Sequence, residues 1–540
     1  MIDMINFSKF NQTNDIGLNI KNALSYCKEN GEDMLVFEKG TYRVNGESVV
    51  TKTLSVSNHS HGDRKVCFWL EGFSDFTIDF GDSEIILEDQ MIAVVLQNCK
   101  NVTLKNFSVY NEVTFSREGV VLGSDENGFS FEIIDGKNVY TDGKSLYAGE
   151  PDGVNETLVR MNEWGKETGL LVPYQTDTVL CRFRFTELGE NRYRADYLEE
   201  IKTRYTITEG SRICMQPGHR NSCGIFISGS VNTKIINYTI HNTMGMGVIA
   251  QNSENIEIDS MKVTPKDDCC YTLNADATHF VHCKGLIHIH DCLFERQLDD
   301  ALNVHGIYLR IVEKKENSVV LKHMHWQAIN IDTVKSDSVL ETCDPESLIP
   351  KKRYRVKEVK KLDLERVEVF FEDDISDVEV GDDMNEVSDV CEVLFENNLC
   401  RNNRARAVLL ASAGKTVLRG NRFETSGRAI LFEADGGYWF ESGGTTDVQI
   451  LGNTFYNCNY IAANNGAGDI ITTVKRKKIE EGKYFHKRIE VSGNRFINCG
   501  VTPVSINNAE EFIFCDNVFE NCAKTEAVVE YVKEFKTSKN

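Results

Sequence analysis

Four segments near the C-terminus share one pattern: GNRFETS, GNTFYNC, GNRFINC and DNVFENC. They place Asn421, Asn453, Asn494 and Asn517 two residues before Phe423, Phe455, Phe496 and Phe519. Cys458, Cys499 and Cys522 each follow their phenylalanine by three. The phenylalanines are 32, 41 and 23 residues apart. A unit of about two dozen residues with variable insertions predicts a parallel β-helix. Its coils stack about 4.8 Å apart, so equivalent Phe and Cys side chains form inward ladders. The competing reading is a β-sandwich with accidental repeats, and four registered copies argue against it.

The remainder of the chain fits that scaffold. Ile20, Ala23, Leu24 and Cys27 fall at helical spacing, with Asn14 or Asp15 as cap and Gly31 beyond the end. This predicts a short helix over Asn14–Asn30 that covers the open end of the solenoid. From Phe68 short β runs follow one another, and NTKIINYTIHN and NIEIDSMKV continue them. Two stretches break the rhythm: Thr114 to Gly218, with TVLCRFRFTEL and NRYRADYLEEI, and Ile307 to about Ser388, with RYRVKEVKKL and RVEVFFEDD. Their period-two alternation predicts inserted antiparallel β-barrel-like domains. The expected division is β-helix over 1–113, insert over 114–218, β-helix with the catalytic coils over 219–306, insert over 307–388, and β-helix over 389–540. The fold class is all-β.

Composition excludes several function classes. A formal net charge of −22 opposes nucleic acid and anionic membranes through Coulomb repulsion. No uncharged apolar run is long enough for a membrane span. The N-terminus MIDMINFSKFNQTND has no basic region followed by an apolar core. The 17 cysteines show no spacing for paired bridges, which favours reduced, buried thiols and a cytoplasmic location.

The densest chemistry lies in LNADATHFVHCKGLIHIHDCLFERQLDDALNVHGIYLR, from Leu273 to Arg310. Asp299 and Asp300 lie 23 and 24 residues after Asp276, an offset of one coil, which puts Asp276 beneath or beside the pair. Stacked like charges push pKa values apart, so one carboxyl holds a proton while another stays ionised. Glycoside hydrolysis needs that division, and an inverting enzyme places its carboxyls about 6.5–9.5 Å apart. A surface acidic patch is the plainer alternative. His279 and His305 are candidates for orienting a carboxylate or meeting sugar hydroxyls. His288 and His290 alternate on one strand, but no third ligand stands at a recognisable spacing, so no metal is expected.

A second stretch, ILFEADGGYWFESGG, carries Glu433, Asp435, Trp439 and Glu441. Its carboxylates suit sugar hydroxyls and its aromatic face suits the apolar C–H face of a sugar. The alternative is that Trp439 and Tyr438 simply pack a loop against the helix wall. Arg404 and Arg406, in RNNRARAVLL, either clamp hydroxyls or pair with nearby acids.

NADATHFVHCKGLIHIHDCLFERQLDDALNVHGIYLRI, followed by the GGYWFESG loop, closely resembles glycoside hydrolase family 110 over nearly the whole chain. The resemblance implies a right-handed parallel β-helix carrying β-barrel domains, exo-acting α-1,3-galactosidase activity with inversion, and no metal or organic cofactor. The implied substrates are glycans ending in α-1,3-linked galactose, blood group B antigen among them. The family's aspartates match Asp276, Asp299 and Asp300. A similar arrangement in polygalacturonases implies Asp299 as general acid, with Asp276 and Asp300 positioning and deprotonating water. The loop of Trp439 and Glu441 is expected to hold the terminal galactose, with Arg404 or Arg406 helping. Competing expectations are another β-helix hydrolase or lyase and a non-catalytic glycan-binding β-helix. The inserts offer surfaces for a homodimer.

Overall fold

The structure is a computed structural model. It describes residues 4–172, 178–198, 207–412, 414–462, 468–475 and 478–538. The end of NRYRADYLEEI, residues 199–201, lies outside the described residues.

The chain winds into a parallel β-helix. Along one wall the register runs Val248, Thr278, Leu302, Val408, Ile430, Ile470 and Val504, each beside the next on successive coils. A second wall stacks Ile258, Ile289, Phe395, Leu418, Ile450, Val491 and Phe514, and all of these are buried.

The GNxF repeat has a physical cause at each position. Gly420, Gly452, Gly493 and Asp516 turn the corner with φ between 55° and 66°, the left-handed region that favours glycine and short polar residues. The next residue, an asparagine, points inward. Asn398, Asn421, Asn453, Asn494 and Asn517 form a buried column, each donating its side-chain amide N–H to the next Oδ1 at 2.9–3.1 Å. Two residues on, Phe423, Phe455, Phe496 and Phe519 stack with ring centroids 5.2, 4.7 and 5.3 Å apart. Cys458, Cys499 and Cys522 donate their thiols to the carbonyls of Phe423, Phe455 and Phe496 on the coil before. The cysteines are all free, and most are buried, so they act as small core residues.

The capping helix runs Ile16–Asn30. Asp15 caps it by accepting from Leu18 N–H at 2.9 Å, and Gly31 ends it at φ 67°. Ile20, Ala23, Leu24 and Cys27 join the main core, which closes the first coil.

Both inserts are spliced between adjacent coils without disturbing their register. Ile225 pairs directly with Val94, and Val408 with Leu302. The second insert closes into a barrel built from Leu309–Lys314, Ser318–His323, Arg366–Phe371, Pro350–Lys361, Val339–Cys343 and Asp383–Glu386. The first is a nine-stranded antiparallel sheet with its own apolar core. Its end strands are not paired to each other among the described residues, so it curls without full closure. One bond, Phe185 N–H to the Gly143 carbonyl at 3.1 Å, links that end.

Candidate active site

The coil register assembles the site. Leu302 lies beside Thr278 and Val408 beside Leu302, so Asp276, Asp300 and Arg406 occupy the same place on consecutive coils. Asp300 N–H donates to Asp276 Oδ1 at 3.1 Å. Arg406 donates to Asp300 twice, from its backbone N–H at 3.0 Å and from Nη2 at 2.8 Å. Asp299, one residue earlier, turns toward solvent. Its side chain is 20% exposed, against 5% for Asp276 and 1% for Asp300. Arg220 Nη2 lies 3.3 Å and Arg404 Nη1 3.6 Å from its oxygens. One oxygen from each aspartate lies within 4.8 Å of the others.

The three carboxyls differ electrostatically. Burial, aided by the charge of Asp299, pushes Asp276 up to about 7. Burial also acts to raise Asp299, but Arg404, Arg406, Arg220 and Arg160 together hold it below its ordinary value. Burial pushes Asp300 up as well. Both its oxygens nevertheless accept from Arg406, and a guanidinium keeps its charge. That geometry suits the ionised form, because a neutral Asp300 would leave Arg406 without its nearest counter-charge.

The hydrogen-bond row beneath Asp276 accommodates a proton on it. His305 Nδ1 lies 2.7 Å from the Gly306 carbonyl, which only accepts, so that nitrogen carries the hydrogen. His305 Nε2 lies 3.0 Å from His279 Nε2, and His279 Nδ1 lies 2.7 Å from Asp276 Oδ2. Burial, and then His305, hold His279 well below its ordinary pKa. A His279 that donates from Nε2 to His305 accepts at Nδ1 from Asp276. In that arrangement the chain closes with the proton on Asp276.

The cavity above these aspartates measures about 170 Å³. Asp276, Asp299, Asp300, Arg404, Arg406, Glu433, Asp435, Trp439 and Glu441 all line it, as the sequence led us to expect. Asp435 accepts from the backbone N–H groups of Gly437, Tyr438 and Trp439 at 2.7, 3.0 and 3.3 Å, so it shapes the loop that presents the indole. Glu441 is anchored by Asn58 Nδ2 at 3.4 Å. Of the two roles expected of His279 and His305, orienting a carboxylate fits, with His279 Nδ1 2.7 Å from Asp276, and meeting sugar hydroxyls does not. His279 is fully buried, His305 nearly so, and neither lines the cavity, because their strands carry them below the aspartates.

Arg160, Arg220, Asn58 and Asn303 also line the cavity and were not anticipated. Arg160 and Arg220 come from the first insert and the segment after it, where no repeat marks a register. Asn303 stands three residues after Asp300 on the catalytic coil, which was a usable signal. Its Oδ1 is buried without a hydrogen-bond partner. A larger cavity of about 790 Å³, between the first insert and early coils, has Asp63, Asp89, Glu112 and Glu150 on its wall but no stacked carboxylates.

Buried carboxylates of unlike protonation, guanidinium groups and an indole in one small cavity define a glycoside hydrolase site. Residues 369–483 match the right-handed β-helix region family. The chain is 30% identical to alpha-1,3-galactosidase B of Phocaeicola vulgatus, covering 90% of this chain and 83% of that protein. Alpha-1,3-galactosidase B of Parabacteroides distasonis is also 30% identical, with 91% and 83% covered. Alpha-1,3-galactosidase A of Shewanella woodyi is 29% identical, with 88% and 78% covered. The chain belongs to the α-1,3-galactosidase family, glycoside hydrolase family 110.

Proposed function

We infer that the protein is an exo-α-1,3-galactosidase that removes terminal galactose from glycans, linear α-1,3-galactosyl ends and the blood group B determinant being the substrates to test. The observation that carries this is Asp276, raised to about 7 by burial, beside Asp299, held low by arginines, with oxygens within 4.8 Å in a cavity of about 170 Å³. That volume falls below the usual range of about 300–1,000 Å³ for larger ligands, which favours one sugar ring over a polymer segment. Trp439 offers its face to the ring's C–H groups, and Arg404, Glu433 and Glu441 offer donors and acceptors to its hydroxyls.

The proposed reaction is a single displacement by water. Entry of galactose strips water from Asp299 and raises its proton affinity. The proton of Asp276 then passes to Asp299, which delivers it to the glycosidic oxygen. Asp276, now ionised, and Asp300 take a proton from the attacking water. The product is β-galactose.

Carboxyls this close also admit a second reading. Retaining enzymes hold their carboxyls about 5–5.5 Å apart, and Asp299 would then be the nucleophile. Proton NMR of the anomeric region during digestion of Galα1-3Gal and blood group B trisaccharide separates the two. β-Galactose appearing first supports single displacement; α-galactose first establishes retention. No galactose from either substrate overturns the activity itself.

A further inference from the structure

His288 and His290 find in the fold the third ligand that their own strand lacks. The strand Glu254–Asp259 lies beside Lys284–His290, with Glu257 opposite His288 and Asp259 opposite His290. The two imidazoles stack with centroids 4.2 Å apart. One ligand atom from each of Glu257, His288 and His290 lies within 4.8 Å of the others. The cluster sits half-buried on the outer face of the wall, and none of its members lines the catalytic cavity.

The surroundings of each side chain prepare it for a ligand role. Glu396 Oε1 lies 2.9 Å from His288 Nε2, while Arg419 fixes the other oxygen of Glu396 at 2.6 Å. Asp291 Oδ2 lies 2.9 Å from His290 Nδ1. His290 Nε2 is buried and has no hydrogen-bond partner, and Glu257 Oε1 is 3.6 Å away. Lys234 holds the other oxygen, Oε2, of Glu257 at 2.7 Å. A carboxylate on one imidazole nitrogen fixes the tautomer and leaves the other nitrogen's lone pair for a metal. The depression beside Glu257 and His288, about 420 Å³, gives an ion and its water a path in.

We propose that Glu257, His288 and His290 form a binding site for a divalent cation of the zinc class, separate from the catalytic centre. Imidazole and carboxylate donors suit zinc, cobalt and nickel better than calcium or magnesium. A bound cation bridges two consecutive coils, because Glu257 belongs to one and the histidines to the next. It would therefore stabilise the folded chain in proportion to its occupancy.

The test is calorimetric titration of chelator-treated full-length protein with zinc chloride, with cobalt absorption as a second readout. Wild type should bind one zinc ion per chain, and cobalt should give visible bands of nitrogen and oxygen coordination. His288→Ala and His290→Ala should each abolish that binding while keeping the wild-type galactosidase rate, which also shows that they fold. Glu396→Gln, which touches no metal, should weaken binding by about tenfold. Asp299→Asn should leave zinc affinity unchanged. Absence of binding to wild type overturns the proposal, as does binding that survives both histidine substitutions or disappears in Asp299→Asn.

Discussion

His305 Nε2 lies 3.0 Å from His279 Nε2, and this contact ties a buried pair of rings to Asp276. The Gly306 carbonyl commits a hydrogen of His305 to Nδ1, and a His279 that donates to His305 accepts in turn from Asp276. A structural carbonyl thus reaches the catalytic centre through two buried rings.

Asp276→Asn copies the neutral carboxyl. Its amide can donate to His279 while its oxygen accepts from Asp300. The variant should fold and lose about 10²–10⁴-fold in kcat. The sign of its stability effect follows from the raised pKa of about 7. A carboxyl raised in the folded state contributes stability that is fully present below its unfolded pKa, near 4, and lost as pH rises through about 7. Asparagine keeps that contribution at every pH. Urea unfolding should show Asp276→Asn gaining on wild type by about 1–3 kcal/mol between pH 5 and pH 8. A constant difference across that range would contradict a neutral Asp276.

The same proton sets the pH dependence of activity. The basic limb of kcat/KM should fall near pH 7, where Asp276 loses it. His305→Phe removes the acceptor that holds His279 in its present tautomer, so His279 can instead donate to an ionised Asp276. The basic limb should move to lower pH with KM little changed, because His305 does not line the cavity. A purely structural role would lower activity without moving the limb.

Arg406 balances Asp300 inside the protein, with 2.8 Å between Nη2 and Oδ2. Arg406→Met should cost about 3–5 kcal/mol by leaving a buried carboxylate unpaired. Adding Asp300→Asn should recover much of that loss in denaturant unfolding, although both variants should be inactive. Equal stability of the single and double variants would place the pairing elsewhere.

Trp439 is held over the cavity by a loop that Asp435 shapes. Trp439→Ala should raise KM about tenfold, as expected for loss of an aromatic face worth about 1 kcal/mol plus its buried area. Tyr438 is 61% exposed beside it, and Tyr438→Ala should change KM less. Steady-state kinetics on Galα1-3Gal compares them.

No asparagine of the column lines the cavity, yet stability should depend on it. Asn453 is fully buried, with its amide donating to the Leu418 carbonyl and to Asn494, and its oxygen accepting from Asn421. Asn453→Ala should cost about 1–3 kcal/mol because those partners lose bonds out of reach of water. Activity per folded molecule should stay at the wild-type level in a thermal-unfolding and rate comparison.

Much of this architecture could be read along the chain. The cap at Asp15, the left-handed stop at Gly31, the phenylalanine stack and the one-coil offset from Asp276 to Asp300 each depend on residues that recur at a local spacing. The GGYW loop also announced its place on the cavity wall through a cluster of acids and aromatics. Arg160, Arg220 and Asn58 gave no such sign, because they stand in non-repeating segments and reach the cavity by docking across the fold. For the histidines the sequence left two roles open, orienting a carboxylate or meeting a sugar, and only the direction of the His279 side chain puts it against Asp276.

The sequence by itself determined the coil, since each turn of a β-helix bonds to the next and a repeated residue must stack on its own copy. It also determined that three aspartates share one face. Tertiary structure alone decided their charges, because proton affinity follows burial and the arginines that gather around each oxygen. It decided the walls of the cavity for the same reason: those contacts join segments whose separation along the chain follows no period.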